Sequence, residues 1–277
     1  ASDAAADLRL GTNRGGLFIA AKVDRAKISD TSPESRFHPL DLTGVAGLQA
    51  DAWTGALELA SGGYPVAEVG LRHNGVTGSG GVSIDTGTLA FTAEGLQPAA
   101  LSPLAEVIGE PVEGTALFTG AIDWRAEGVD SHGRLDVPRL DFKSPAGAVQ
   151  GLSGQIDFTS LIPLQTAPDQ TLTADVIQAL APLTGSQVTF QLLPDELTLS
   201  EGVFEVGGGT IKITPMSIPL DQTKSWRGEL VIEAVQLSEF VEATPFADRV
   251  DLDAVVSGRL PFVIGPEGIT FIQGKLT

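Results

Sequence analysis

Apolar residues recur at every second position along most of this chain, and a period of two places them on strands, since a helix repeats every ~3.6 residues. The pairs are Val82/Ile84, Leu89/Phe91, Ile122/Trp124, Leu135/Val137, Ile156/Phe158, Phe190/Leu192, Leu197/Leu199, Phe204/Val206, Ile211/Ile213, Leu230/Ile232 and Val250/Leu252, with the triplet Leu260/Phe262/Ile264. Polar residues such as Ser83, Asp123, Asp157 and Lys212 stand between the paired positions. Each strand therefore offers one apolar and one wet face, as antiparallel meanders do.

Turn signals separate the strands at Thr86-Gly87, Glu94-Gly95, Asp195-Glu196, Glu201-Gly202 and Pro266-Glu267-Gly268, and Gly207-Gly208-Gly209 marks a sharp bend or bulge. A strand spacing of about 8–12 residues fits a long meander or solenoid and not a βα alternation. Three short helices are predicted. Ser102 caps one that starts at Pro103 and stops at Gly109. Thr173 caps a second, with Leu172 and Ile177 as a hydrophobic staple and Pro182 at its end. Ser238 begins a third, stopped before Pro245.

The blocks around Leu101-Ser102 and Gly120–Trp124 find counterparts around Leu237-Ser238 and Gly258–Phe262, at nearly the same offset. This predicts an internal duplication and a quasi-one-dimensional architecture. The expected organisation is a fragment of one elongated β domain over 1–277, with sub-repeats at roughly 1–150 and 151–277. Ala1–Asp7 has neither the basic start nor the apolar run of a signal peptide, and Lys275-Leu276-Thr277 reads as mid-strand, so targeting and anchoring parts are expected elsewhere.

Acidic residues number 35 against 17 Lys and Arg, a formal charge of −18, and no basic stripe is present. That excludes nucleic acid as a partner and argues against adsorption to an anionic membrane face by charge. With no cysteine, thiolate metal sites, disulfides and a cysteine nucleophile are excluded. Hydrophobic residues make up 42% but aromatics only 6%, so burial rests on aliphatic side chains.

No catalytic constellation stands out. His132 lies near Asp130 and Asp136, but solvated polar positions at a strand explain all three, and His73 has no partner at ligand spacing. Gly75, Gly78, Gly80 and Gly81 precede the strand-like Val82-Ser83-Ile84, whereas a phosphate-cradling loop precedes a helix. A nucleophile elbow is absent, and carboxylate pairs such as Asp251/Asp253 fall on wet strand positions. The reading is non-enzymatic, with no catalytic residue, metal or cofactor. The apolar faces have two uses open to them. Patterning favours an ordinary sandwich core, as in an extracellular or periplasmic β-sandwich or solenoid binding module; low aromatic content favours an aliphatic groove for acyl chains.

The run Gly154–Pro168 (GQIDFTSLIPLQTAP), followed by Leu197-Thr198-Leu199, Gly208–Ile211, Leu237–Phe240 and Val256–Pro261, resembles in this order the C-terminal part of the YdbH family, among the AsmA-like proteins of Gram-negative envelopes. The resemblance covers roughly 95–277 and rests on Gly, Pro and aliphatic patterns. It implies a periplasmic segment of an inner-membrane-anchored, bridge-like protein that carries phospholipids between inner and outer membranes. The implied fold is mainly β: an elongated, twisted antiparallel sheet curled into a U-shaped apolar groove, a β-taco, with a few short helices. The implied partners are phospholipid acyl chains and a small outer-membrane lipoprotein joined by strand addition, with membrane contact through parts outside this fragment. Expected groove-lining residues are Ile122, Trp124, Ile156, Phe158, Phe190, Leu192, Leu197, Leu199, Phe204, Val206, Ile211, Ile213, Leu230, Ile232, Val250, Leu252, Leu260, Phe262 and Ile264.

Overall fold

The computed structural model describes residues 4–13, 16–31, 35–144, 147–221, 223–238, 254–266 and 268–277. Within them the chain is almost entirely strand, and its nineteen strands pair antiparallel in a single sheet. The chain divides into two compact units, 1–136 with 159–162 and 137–158 with 163–277.

In the first unit β1 (Ala5–Asn13), β2 (Gly16–Ile28), β3 (Leu40–Gln49), β4 (Ala52–Ser61), β5 (Tyr64–Asn74), β6 (Gly80–Phe91) and β7 (Gly109–Arg125) each pair with the next. Two 3₁₀ helices, Pro98–Ala100 and Pro103–Val107, lie between β6 and β7. Ser102 caps the second as the sequence predicts, its Oγ accepting from the Leu104 amide at 3.1 Å. The driest part of this unit gathers at the same end of the strands: Leu42, Leu59, Val66, Phe91, Leu96 and Val112 are all buried.

β8 (Gly128–Ser144) and β9 (Gly147–Leu161) follow, then β10 (Leu164–Thr166), β11 (Gln170–Gln178), β12 (Pro182–Leu192), β13 (Glu196–Val206), β14 (Gly209–Ile213) and β15 (Met216–Pro219). β16 (Trp226–Gln236), β17 (Val255–Gly265), β18 (Gly268–Phe271) and β19 (Lys275–Leu276) complete the series. In the second unit Ala181, Val206 and Val235 form a buried cluster, with Leu183, Ile211 and Ile232 packed against it.

Three expectations need correction. The helix expected from Thr173 is strand β11, paired with β9 on one side and β12 on the other. Its apparent cap and staple are local signals. They lose to two ladders of hydrogen bonds and to β-branched residues at Thr171, Thr173, Val176 and Ile177. Thr86-Gly87 is not a turn but a bulge inside β6, where the register slips between Asp85 and Thr88. Gly87 takes φ +55°, and Thr86 Oγ1 accepts from the Phe118 amide at 2.8 Å, so the bulge leaves that donor satisfied. Glu201-Gly202 likewise lies within β13, at a register slip opposite Thr189/Phe190. Gly207-Gly208 does turn the chain, with positive φ at both residues, as a two-residue hairpin between β13 and β14 requires. The helix expected after Ser238 lies outside the described residues.

Candidate functional site

Residues directly opposite in an antiparallel pair share a face, so the register shows which side chains are brought together. In the first unit Leu10, Ile19, Leu48, Trp53, His73, Gly80 and Trp124 form one cross-strand row over seven strands. The next row on the same face is Leu8, Ala21, Ala46, Gly55, Leu71, Val82 and Ile122, and the third is Ala6, Val23, Gly44, Leu57, Val69, Ile84 and Gly120. Apart from His73, every member is apolar or glycine.

The second unit repeats the arrangement. Gly154, Leu172, Val188, Gly202, Ile213, Leu230 and Leu260 make one row across β9, β11, β12, β13, β14, β16 and β17. On the same face lie Phe204, Ile211, Ile232 and Gly258; Phe190, Leu199 and Met216; Leu192, Leu197 and Ile218; and Trp226, Ile264 and Ile269. Val206 follows Phe204 by alternation, and Phe262 stands opposite Gly228 and Phe271. Phe262 is 5% exposed and meets Trp226 edge-on at 5.8 Å between ring centroids.

Bulges keep these faces apolar. Ile84 and Leu89, Leu199 and Phe204, and Ile232 and Val235 are separated by odd spacings, which in unbroken strands would point them to opposite sides. A register slip within each interval restores them to one face.

The other face is wet and cross-linked by charge. Arg72 on β5 reaches across Gly81 on β6 to Asp123 on β7, and a side chain at position 81 would collide with both. In the second unit Arg139 pairs with Asp141 at 3.1 Å and with Asp175 at 3.0 Å. Here Gly151 leaves the space, its amide donating to Asp141 Oδ1 at 2.6 Å. Lys212 pairs with Glu233 at 2.8 Å and, with Thr210, holds that carboxyl below its ordinary range. Arg259 pairs with Glu229 at 3.0 Å.

In the first unit the connection from β6 to β7 returns over the opposite ends of the strands. Ser61 Oγ donates to the Ala100 carbonyl at 3.0 Å, the His38 amide donates to Leu101, and Ser102 Oγ donates to the Arg36 carbonyl. Gln97 accepts from the Val112 amide at 2.8 Å and donates to the carbonyls of Thr92 and Val112, beside a Val112 side chain with no exposure. This strap closes one end of the apolar face.

Thirteen expected lining residues thus share the face of the second unit: Phe190, Leu192, Leu197, Leu199, Phe204, Val206, Ile211, Ile213, Leu230, Ile232, Leu260, Phe262 and Ile264. Ile156 and Phe158 follow by alternation from Gly154, while Ile122 and Trp124 belong to the face of the first unit. Val250 and Leu252 lie outside the described residues. The rows through β1–β5 escape the sequence reading, because Ala21, Gly44, Ala46 and Gly55 stand where large aliphatics would mark the period. His73 also has a partner that spacing did not reveal: its Nδ1 accepts from Trp124 Nε1 at 3.3 Å. His132 is exposed, and Asp130 faces Arg125 at 3.9 Å. Among the described residues no group of His, Asp and Glu is arranged to hold a metal ion, and no helix is long and apolar enough to cross a membrane.

Comparison with protein families gives a match over the whole chain. The model of a YdbH-like family, described as intermembrane phospholipid transport protein YdbH, matches residues 1–277. No curated protein and no solved structure matches the chain.

Proposed function

The chain belongs to the YdbH-like family, and from that premise we propose that it is a periplasmic segment of a bridge along which phospholipids pass between the inner and outer membranes. Its apolar faces curl into a groove that holds acyl chains, while headgroups stay in water. The observation that carries this reading is the set of apolar rows, reaching seven strands across in each unit and interrupted by one polar side chain, His73, backed by a charged face. Each CH₂ moved from water onto such a surface gains about 0.8 kcal/mol, so a chain is retained without any specific side chain. Passage requires a continuous wall, because a deep local well would hold the lipid in place. The groove-lining assignments proposed are the residues placed above on the two faces.

The remainder of the protein anchors in the inner membrane on this proposal, and a small outer-membrane lipoprotein joins by strand addition. The test is to purify the chain from the periplasm of Gram-negative cells without detergent and analyse it by mass spectrometry. Phospholipid should co-purify in stoichiometric amount. A chain that carries none and takes up none from vesicles would overturn the groove and favour a β-sandwich or solenoid binding module.

A further inference from the structure

Two unlike boundaries close the apolar face of the first unit, at opposite ends of its strands. At one end the last row carries Trp53, His73 and Trp124, all half-buried, with only Gln49, Ala52 and Asn74 left beyond it on β3, β4 and β5. Indole and imidazole rings have an apolar body and a polar edge, the type that settles where hydrocarbon meets water. Gly80 leaves room for the Trp124 ring, which donates from Nε1 to His73 Nδ1 on this same face.

The other end is dry and covered. Leu42 and Leu59 stand opposite each other in the fourth row and are buried, as are Phe91 and Val112. The strap makes the cover: Leu96 is buried within it, and Ser61, two residues past Leu59 on the same face, donates to the Ala100 carbonyl. The two rows between the ends hold only apolar residues and glycine, with Ala46 opposite Gly55 lowering the floor. From first row to fourth is six residues, Leu48 to Leu42 on β3 and Trp53 to Leu59 on β4, which is about 20 Å at ~3.3 Å per residue. A saturated hydrocarbon chain advances about 1.25 Å per carbon, from C–C bonds of about 1.5 Å at near-tetrahedral angles, so about 16 carbons cover that length. A polar-edged end, an apolar lane and a closed apolar end match an acyl chain laid along the strands.

We propose that the first unit measures acyl chains: the ester end of a phospholipid lies at the Trp53–His73–Trp124 rim, the methyl end abuts Leu59, Phe91 and the strap residue Leu96, and chains longer than about 16 carbons are disfavoured. A lipid in this pose slides sideways from strand to strand along the rows with both ends in register, so selection by length needs no deep well. A carbon that finds no apolar wall because the strap blocks it costs about fourfold in retention, equivalent to about 0.8 kcal/mol per CH₂. This rests on the groove reading and adds to it a chain orientation and a length limit.

The experiment reads the first unit within the full chain, by replacing Leu71 in the second row with a diazirine amino acid. The protein is mixed with vesicles holding equal amounts of phosphatidylcholines graded from about 14 to about 22 carbons per chain, a range that brackets the length worked above. After irradiation, lipid adducts are weighed by mass spectrometry and compared with the vesicle composition. Adduct yield should stay level to about 16 carbons and fall at least tenfold by about 20. Leu57→Trp, a half-buried change that raises the floor in the third row, should move the fall to shorter chains. Leu96→Ala, which opens space under the strap, should move it to longer ones, and denaturant unfolding reports which variants are folded. A level yield across the series, as chains lying across the strands would give, or a fall that no folded variant moves, would overturn the length limit and leave the groove standing. No adduct from a chain that still binds lipid would overturn it too, whereas no bound lipid of any length would sink the groove reading itself.

Discussion

Ile213 offers the sharpest test of whether the apolar face is a working surface. It sits mid-row between Gly202 and Leu230, half-buried, with Lys212 beside it on the opposite face. Replacing it by Asp forfeits roughly half of an isoleucine's burial, about 1–1.5 kcal/mol, which a folded domain tolerates. The carboxylate remains hydrated while the face is empty. An acyl chain crossing the row must strip that water, at an effective cost of several kcal/mol per ion. Even about 2.7 kcal/mol corresponds to a hundredfold slower passage. Val203→Asp is the matched control, because Val203 lies on the wet face directly opposite Lys212. Lipid transfer between donor and acceptor vesicles should fall about a hundredfold for Ile213→Asp and stay near wild type for Val203→Asp, with thermal unfolding confirming both folds. Lowering the pH through the new carboxyl's titration should restore part of the rate. A folded Ile213→Asp chain that transfers lipid as fast as Val203→Asp would refute the reasoning.

Gln97→Ala should destabilise the first unit by about 1–3 kcal/mol, since it leaves the Val112 amide without its side-chain acceptor beside a fully buried side chain; denaturant unfolding measures this. Ser186→Ala should be neutral or slightly stabilising in the same assay, because the Ser186 hydroxyl is buried, 3% exposed, without a hydrogen-bond partner among the described residues. The Glu233 carboxyl, held down by Lys212, should titrate below the ordinary glutamate range by NMR and return to it in Lys212→Met. Because the folded-state value is depressed, the stability from this pair is present above the unfolded-state pKa and is lost as pH falls through the folded one.

The strand content was legible because parity within a strand is a local property. Which strands are continuous was less so. Leu199 and Phe204 read as two strands with a turn at Glu201-Gly202, since the odd spacing breaks the period; the slip in β13 shows it to be one strand with a bulge. The face membership of Phe190, Ile211 and Leu260 was legible from alternation. Their assembly into shared rows depends on register, which no local pattern states. The Thr173 helix shows the reverse failure: a convincing local cap overridden by pairing on both sides. Trp124 and His73 lie 51 positions apart in sequence, so nothing short of the β5–β6–β7 register could join them.

The central claim is that one face of the sheet, and not the other, carries lipid. A photo-crosslinking amino acid placed singly along Leu230, Val231, Ile232 and Glu233 in β16 tests it directly, since successive residues point to opposite faces. Phospholipid adducts, read by mass spectrometry from chains expressed in the periplasm, should appear at 230 and 232 and be lacking at 231 and 233. Adducts at all four positions, or at none in a folded chain, would contradict it.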